Sequence, residues 1–137
     1  MTLIVDASVA IKWAVEEDQS EEAQTLLERD DLAAPDLLIA EVAATLWKKE
    51  LRREITSLQR AVAFSICARG IGELVPMKGL GERALELAVE LSHPAYDCFY
   101  LALAEAREAT FVTADQRLLA RLASSAWAGA FRGLEGG

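Results

Sequence analysis

Short strand-like runs alternate with longer stretches of helical periodicity along this chain, and this alternation is the feature that most restricts its fold. The run at 3–5 is wholly apolar, and the run at 110–113 is rich in β-branched and aromatic residues. Between them, apolar residues recur every three or four positions, as on helices that bury one face. Strands that alternate with helices form a parallel sheet covered on both faces. The sequence therefore predicts an α/β domain of three layers, α/β/α, with a short, mostly parallel central sheet flanked by helices.

Turn and cap residues set the boundaries of these elements. Pro35 ends the second strand, Ser8 and Ser20 are predicted to cap the first two helices, and Thr56 and Gly70 bracket the fourth helix. We predict one domain over 1–137, with strands at 3–5, 31–35, 74–77 and 111–113, helices at 9–15, 21–29, 36–53, 57–69, 82–91, 96–108 and 116–122, and a weak strand and then a frayed end in the tail from 128.

The composition excludes several classes of protein. The 137 residues are 53% hydrophobic, enough for a folded core, but no run of about 18 apolar residues is present to span a membrane. The first residues lack the basic start and cleavage site of a signal peptide. Cys67 and Cys98 have no metal-ligand spacing, so we expect buried free thiols in a reducing cytoplasm. The net charge of −8 argues against a protein that coats nucleic acid, although it is compatible with a nuclease.

Four acidic residues fall where isolated charges are costly. Asp6 and Asp115 come just after strands, at the carboxyl edge where parallel sheets bind ligands, and Glu41 and Asp97 lie on apolar helices. Carboxylates in such places usually share a partner, and a divalent cation such as Mg²⁺ or Mn²⁺ is the simplest one. The residues therefore predict a metal site formed by Asp6, Glu41, Asp97 and Asp115.

Simpler explanations stay open for the same residues. Asp6 and Asp115 each suit the N-cap of the helix that follows, and Asp97 suits a first helical turn, where the helix dipole favours an acid. Glu41 suits a solvated position on its helix. Asp36 is interpreted as a helix cap, and His93 as a loop residue rather than a catalytic base.

Hydroxyl groups accompany two of the acids. Ser8 and Thr113 each lie two residues from an aspartate, so each is placed to hydrogen-bond a metal ligand or a metal-bound water. No cysteine nucleophile or glycine-rich phosphate loop competes for the chemistry. A bound cation activates water and neutralises charge on a phosphodiester, so the residues favour metal-dependent phosphodiester hydrolysis.

Four segments, each with one of the acids, form an ordered set: IVDASVAIKW at 4–13, APDLLIAEVA at 34–43, YDCFYLALA at 96–104 and FVTADQRLL at 111–119. In order and spacing they resemble the motifs of PIN-domain ribonucleases, specifically the VapC-type toxins of bacterial toxin–antitoxin pairs. The resemblance covers nearly the whole chain.

This resemblance implies a PIN-like fold and an endoribonuclease that hydrolyses structured RNA by a metal-activated water. It implies Mg²⁺ or Mn²⁺ as cofactor, a cognate antitoxin as partner and a cytoplasmic location. It also implies metal-binding and catalytic roles for the four acids and supporting roles for the two hydroxyl residues, namely Asp6, Glu41, Asp97, Asp115, Ser8 and Thr113.

Two rival functions are a phosphotransfer or phosphatase domain and a non-catalytic binding module. A phosphotransfer receiver domain requires an aspartate near the middle of the chain and a late lysine, but 55–72 contains no aspartate and no lysine follows Lys78. A haloacid-type phosphatase requires an aspartate at the position of Ser8. A non-catalytic PIN-like module that binds RNA or protein is the other alternative, and the presence of all four acids argues against it.

The apolar content also predicts exposed binding surface. The amphipathic helices at 9–15 and 21–29, together with Trp13 and Trp47, exceed what we expect one small core to hold. We expect the surplus to bind an antitoxin segment near the acidic site, and a second copy of the chain in a homodimer.

Overall fold

The computed structural model describes residues 2–134. Within that range it contains five β-strands, seven α-helices and a 3₁₀ turn at Met77–Leu80. The strands are β1 (Leu3–Val5), β2 (Leu32–Pro35), β3 (Glu73–Val75), β4 (Thr110–Val112) and β5 (Phe131–Arg132). The helices are α1 (Ala7–Ala14), α2 (Ser20–Leu27), α3 (Leu37–Leu51), α4 (Ser57–Gly70), α5 (Gly81–Leu91), α6 (Ala95–Arg107) and α7 (Gln116–Ala123). The frayed end predicted for the tail falls at 135–137, outside the described residues.

The central sheet is parallel throughout, in the order β3-β2-β1-β4-β5. Strands β1 and β2 are buried along their whole length, whereas the edge strands β3 and β5 are partly exposed. This pattern explains why the central strands read as continuous apolar runs, since helices cover both of their faces. The predicted three-layer α/β/α fold is confirmed, and β1 lies at its centre.

Two groups of helices flank the sheet. Helices α1, α2, α3 and α4 pack against one another, and α6 lies across β1, β2 and β4 while it also packs against α5. Helix α6 is buried on most of its circumference, which follows from its place between the sheet and α5. As a result, α3 and α6 both approach the strands that end in acidic residues.

The structure corrects two predicted caps and confirms a third. Ser8 lies inside α1, which is capped by Asp6, and Ser20 is the first residue of α2, which begins after Gln19 in the left-handed conformation (φ 66°). The hydroxyl of Ser20 instead accepts from the backbone N–H of Glu17 (2.9 Å). Thr56 caps α4 as predicted, in a reciprocal capping box.

The prediction of surplus apolar surface is partly wrong. Trp13 and the apolar faces of α1 and α2 are buried in the core, so those helices leave no free surface of the kind expected. Trp47 is exposed (60%), as are Leu51 on α3 and Leu85 and Val89 on α5. None of the helices in residues 2–134 combines the length and the apolar character that crossing a membrane demands.

Candidate active site

The carboxyl edge of the sheet collects the predicted site residues. Asp6 follows β1 directly and Thr113 follows β4 directly, so they lie side by side on neighbouring parallel strands. Asp97 is in the first turn of α6, and Glu41 is one turn into α3. These positions result from the topology. Helices α1 and α3 follow β1 and β2 at this edge, whereas α6 follows α5 and packs across β1, β2 and β4.

Asp6 is the best-enclosed carboxylate of this group, with 7% of its surface exposed. Its Oδ1 accepts from the hydroxyl of Ser8 (2.5 Å) and from the N–H of Val9 (3.4 Å), and its Oδ2 accepts from the hydroxyl of Thr113 (2.5 Å). The Ser8 hydroxyl also accepts from the N–H of Ala114 (2.9 Å). This network connects β1 and α1 to the end of β4 and fixes the orientation of the Asp6 carboxylate.

Burial raises the pKa of Asp6 from 3.8 to about 6. The hydrogen bonds from Ser8, Thr113 and Val9 oppose this rise, while the negative charge of Asp97 adds to it. A carboxylate that accepts three hydrogen bonds and still has a raised pKa lacks a compensating positive charge. A cation bound beside Asp6 would neutralise the negative charge of this carboxylate.

Glu41 is held by an aromatic hydroxyl from another element. Tyr100 on α6 is almost fully buried, and its hydroxyl donates to Oε1 of Glu41 (2.5 Å). Burial and the charge of Asp97 raise the pKa of Glu41, and the hydrogen bond from Tyr100 lowers it. Burial and the nearby carboxylates, chiefly Glu41, raise the pKa of Tyr100 well above its usual range, so this phenol stays a hydrogen-bond donor.

Asp97 is held by the single histidine of the chain. Nε2 of His93 lies 2.7 Å from Oδ2 of Asp97, one helical turn apart across the start of α6. The His93 side chain is only 8% exposed, whereas that of Asp97 is 32% exposed. The interpretation of His93 as a plain loop residue is therefore incomplete, because its ring orients a site carboxylate.

Asp115 reaches the same edge but serves a structural role there. Its Oδ1 accepts from the N–H groups of Arg117 (3.0 Å) and Leu118 (3.1 Å), so Asp115 is the N-cap of α7. Its own N–H donates to the Thr113 hydroxyl (3.1 Å), which links it to Asp6 through one shared side chain. The cap interpretation left open for Asp6 and Asp115 describes both residues in this structure.

Asp36 occupies the same edge without joining the cluster. It follows β2 directly and stands at the N-cap position of α3, but its side chain makes no cap hydrogen bond. Its Oδ1 accepts from the N–H of Met77 (3.1 Å), and its own N–H donates to the carbonyl of Val75 (2.8 Å). The predicted side-chain cap is wrong, because this carboxylate instead ties the end of β2 to the turn after β3.

The carboxylates are coupled by charge but are not assembled around a common centre. Among residues 2–134, no three acidic, histidine or cysteine side chains converge closely enough to hold a metal ion as they stand. Asp97 nonetheless raises the pKa of both Asp6 and Glu41, so its charge repels each of them. An all-oxygen, mutually repulsive donor set fits a hard divalent cation such as Mg²⁺ or Mn²⁺.

Two members of this site were not recognised as such from the sequence. Tyr100 lies within a segment that resembles a family motif, and it follows Asp97 by three residues, the spacing that places both on one face of α6. His93 precedes Asp97 by four residues, which is the corresponding signal for that pair. The partner of Tyr100 could not be assigned, because its contact with Glu41 joins residues on separate helices.

Comparisons with known proteins agree with this architecture. The family profile for the PIN domain matches residues 3–124. Two similar proteins are the VapC ribonuclease Mb0985 of Mycobacterium bovis and ribonuclease VapC9 of Mycobacterium tuberculosis. Each is 34% identical over 116 residues, which cover 85% of this chain and 87% of the relative.

A solved structure shares the fold over nearly the whole length. The crystal structure of PAE2754 from Pyrobaculum aerophilum superposes with a TM-score of 0.71 at 26% identity, covering 98% of this chain and 92% of that chain.

Proposed function

This chain belongs to the PIN-domain family, and within it to the VapC ribonucleases, and we propose that it is the endoribonuclease toxin of a toxin–antitoxin pair. The observation that carries this proposal is the buried Asp6 carboxylate, whose pKa is raised at a sheet edge where Asp97 adds further negative charge. Buried acids with perturbed pKa values in such places are typical of catalytic centres. The substrate that we propose is structured RNA, hydrolysed at internal phosphodiester bonds.

We propose Mg²⁺ or Mn²⁺ as the cofactor. When bound, the cation would neutralise charge on the phosphate and lower the pKa of the attacking water. The residues proposed to hold it are Asp6, Glu41, Asp97 and Asp115. Support comes from the oxygen chemistry of all four residues and from the charge of Asp97, which repels Asp6 and Glu41, and binding requires the carboxylates to come closer together than they stand here.

The surrounding residues have defined roles in this proposal. Ser8 and Thr113 each donate to one oxygen of Asp6, which leaves its remaining lone pairs in a fixed direction. Tyr100 and His93 hold Glu41 and Asp97 in the same way from the α6 side. Fixed carboxylates lower the reorganisation needed for binding and catalysis, which is the usual contribution of such supporting groups.

The groove between α3 and α4 is the surface that we propose for the antitoxin. It has a volume of about 750 Å³ and is open to solvent. Trp47 and Leu51 are 60% and 67% exposed there, beside Phe64 of α4. The groove is also lined by Arg53 and by the ion pair of Arg60 with Glu50. An amphipathic segment with apolar anchors would cover these side chains, as helices do in other grooves.

A separate apolar stripe supports the proposal of a homodimer. Leu85 and Val89 lie one turn apart on α5, and Tyr96 lies in the first turn of the next helix, α6. All three side chains are more than 60% exposed. Self-association around a two-fold axis would bury this stripe, since two-fold dimers are the commonest closed assemblies. We place the protein in the cytoplasm, where its RNA substrate and antitoxin would be found.

The experiment is a cleavage assay with purified protein. A labelled RNA hairpin and an unstructured RNA are incubated with excess EDTA, Mg²⁺ or Mn²⁺, using the wild type, Asp97→Asn and the exposed control Asp30→Asn. We expect internal cuts in the hairpin that need the cation, are abolished in Asp97→Asn and persist in Asp30→Asn.

Other outcomes identify the rival functions. RNA that is bound but never cut would indicate a non-catalytic module, and hydrolysis of small phosphate esters without RNA cleavage would indicate a phosphatase. Cleavage that continues in EDTA would contradict the metal dependence. For the toxin role, co-expression with the product of the adjacent gene should restore growth to cells that express the chain, and a failure to bind or protect would contradict it.

A further inference from the structure

A small cavity adjoins the acidic centre on its α1 side. It has a volume of about 290 Å³ and is open to solvent. Its walls include Ser8, whose hydroxyl donates to Asp6, and two lysines, Lys12 on α1 and Lys49 on α3, with Glu17 between them. A group that enters the cavity would therefore lie between the lysines and the residue that orients Asp6.

The two lysines are unusually enclosed for their residue type. The side chains of Lys12 and Lys49 are 13% and 15% exposed, and lysines are seldom buried to this degree unless they are paired. Both share Glu17: its Oε2 lies 2.6 Å from Nζ of Lys49, and its Oε1 lies 3.6 Å from Nζ of Lys12. Nζ of Lys12 also donates to the carbonyl of Asp18 (2.6 Å).

The charge balance of this group is the informative feature. Two ammonium groups face one close carboxylate, and the second acid near Lys49, Glu54, is 3.6 Å away and about half exposed, so solvent screens it. The walls of the cavity thus carry two ammonium groups and one carboxylate. The four arginines that form ion pairs with Asp31, Glu50, Glu105 and Glu73 lie on other elements.

We propose that this cavity binds a backbone phosphate of the RNA, next to the phosphate at the acidic centre. Lys12 and Lys49 would donate to the phosphate oxygens, and Glu17 would hold the two ammonium groups in place until the phosphate displaces it. The exchange conserves charge, because a phosphodiester and a glutamate each carry one negative charge. This inference rests on the proposed function.

A physical need supports the subsite. A chain with a net charge of −8 repels RNA, so its acidic centre requires local cations to bring a polyanion close. Lysine binds phosphate as a point charge, and each phosphate that it neutralises releases counterions and makes affinity depend on salt. Lys12 and Lys49, kept in position by Glu17, provide these local cations at the edge of the site.

The test measures RNA binding in an Asp6→Asn background, without metal, so that no cleavage occurs. Affinity for a short labelled RNA is followed by fluorescence anisotropy across a salt series for Lys12→Met, Lys49→Met, Glu17→Gln and the control Glu28→Gln, an exposed glutamate on the far end of α2. Each lysine variant should bind RNA more weakly, and the slope of its log affinity against log salt concentration should be smaller in magnitude by about 1. Glu17→Gln should bind about fivefold more tightly than Glu28→Gln, because it frees both lysines.

Three outcomes would overturn the subsite. Lysine variants with unchanged affinity and slope, in a protein whose wild type cuts RNA, would refute it while leaving the proposed function intact. Equal affinities for Glu17→Gln and Glu28→Gln, with a lowered melting temperature only for the former, would mean that the lysines and Glu17 serve stability alone. If the wild type neither cuts nor binds RNA, both the subsite and the proposed function fail.

Lys49→Arg, which keeps the positive charge, should restore the wild-type dependence of affinity on salt.

Discussion

The burial of Asp6 predicts that replacing its charge will stabilise the metal-free protein. The folded-state pKa of Asp6 is about 6, whereas the unfolded chain titrates near 3.8. The folded state therefore keeps a proton that the unfolded state loses between these values, so the free energy of unfolding falls as pH rises through that window. Below about pH 4 both states are protonated and the effect is absent. Above about pH 6 the full cost is present, and the pKa difference corresponds to about 3 kcal/mol.

Asp6→Asn removes this cost because asparagine carries no charge. Its amide oxygen retains one hydrogen bond, and its NH₂ group donates to the second hydroxyl, after which the hydroxyls of Ser8 and Thr113, 3.2 Å apart, are free to bond each other. We expect the variant to gain up to about 3 kcal/mol at neutral pH, a rise of roughly 10 °C in melting temperature for a domain of this size, and to match the wild type near pH 4.

The measurement is chemical denaturation of both proteins in EDTA over a pH series, with Asp30→Asn as the exposed control. Mn²⁺ should reduce the difference in free energy of unfolding between the two proteins, because it stabilises the wild type by binding its folded state. An Asp6→Asn protein that is no more stable than the wild type at neutral pH, with a difference that does not vary with pH, would refute the reasoning.

Three further predictions concern the supporting residues. Tyr100→Phe, which removes the donor to Glu41, should weaken Mn²⁺ binding measured by calorimetry by about 10- to 100-fold, and an unchanged isotherm would show that the hydroxyl is dispensable. His93→Ala should weaken Mn²⁺ binding comparably, whereas His93→Gln, which keeps a donor to Asp97, should recover most of the lost Mn²⁺ affinity. Equal isotherms for the two variants would contradict a positioning role for His93. Thr56→Ala should lose about 1 kcal/mol of stability in denaturation curves, through the lost capping box, and cleave RNA at the wild-type rate.

Much of the fold was predictable because it depends on local patterns. The buried strands β1 and β2 are too short to show periodicity, but they are continuous apolar runs followed by turn or cap residues, and the helices show their buried faces at regular spacing. The cap at Thr56 was predictable for the same reason, since both partners of its capping box lie within four residues. Ser8 was misassigned as a cap because Asp6 competes for the same position.

The charges of the site and the hydroxyl donors Ser8 and Thr113 were predictable, whereas the contacts that depend on helix packing were not. Asp6, Glu41 and Asp97 could be grouped because strand and helix order brings them to one edge, and the structure couples them electrostatically. The contacts of Glu41 with Tyr100 depend on how two helices pack, which periodicity does not specify. Whether Trp47 is core or surface likewise depends on the crossing of α3 and α4, so its exposure had to be observed.

The central claim is that the acidic residues at this sheet edge bind a divalent cation, and anomalous diffraction from crystals grown with Mn²⁺ tests it most directly. We predict a Mn²⁺ peak within direct coordination distance, about 2.1 Å, of carboxylate oxygens of Asp6 and Asp97, with Glu41 still accepting from the Tyr100 hydroxyl. The peak should be lost in crystals of Asp6→Asn. An acidic edge without a peak at saturating Mn²⁺ would contradict the account.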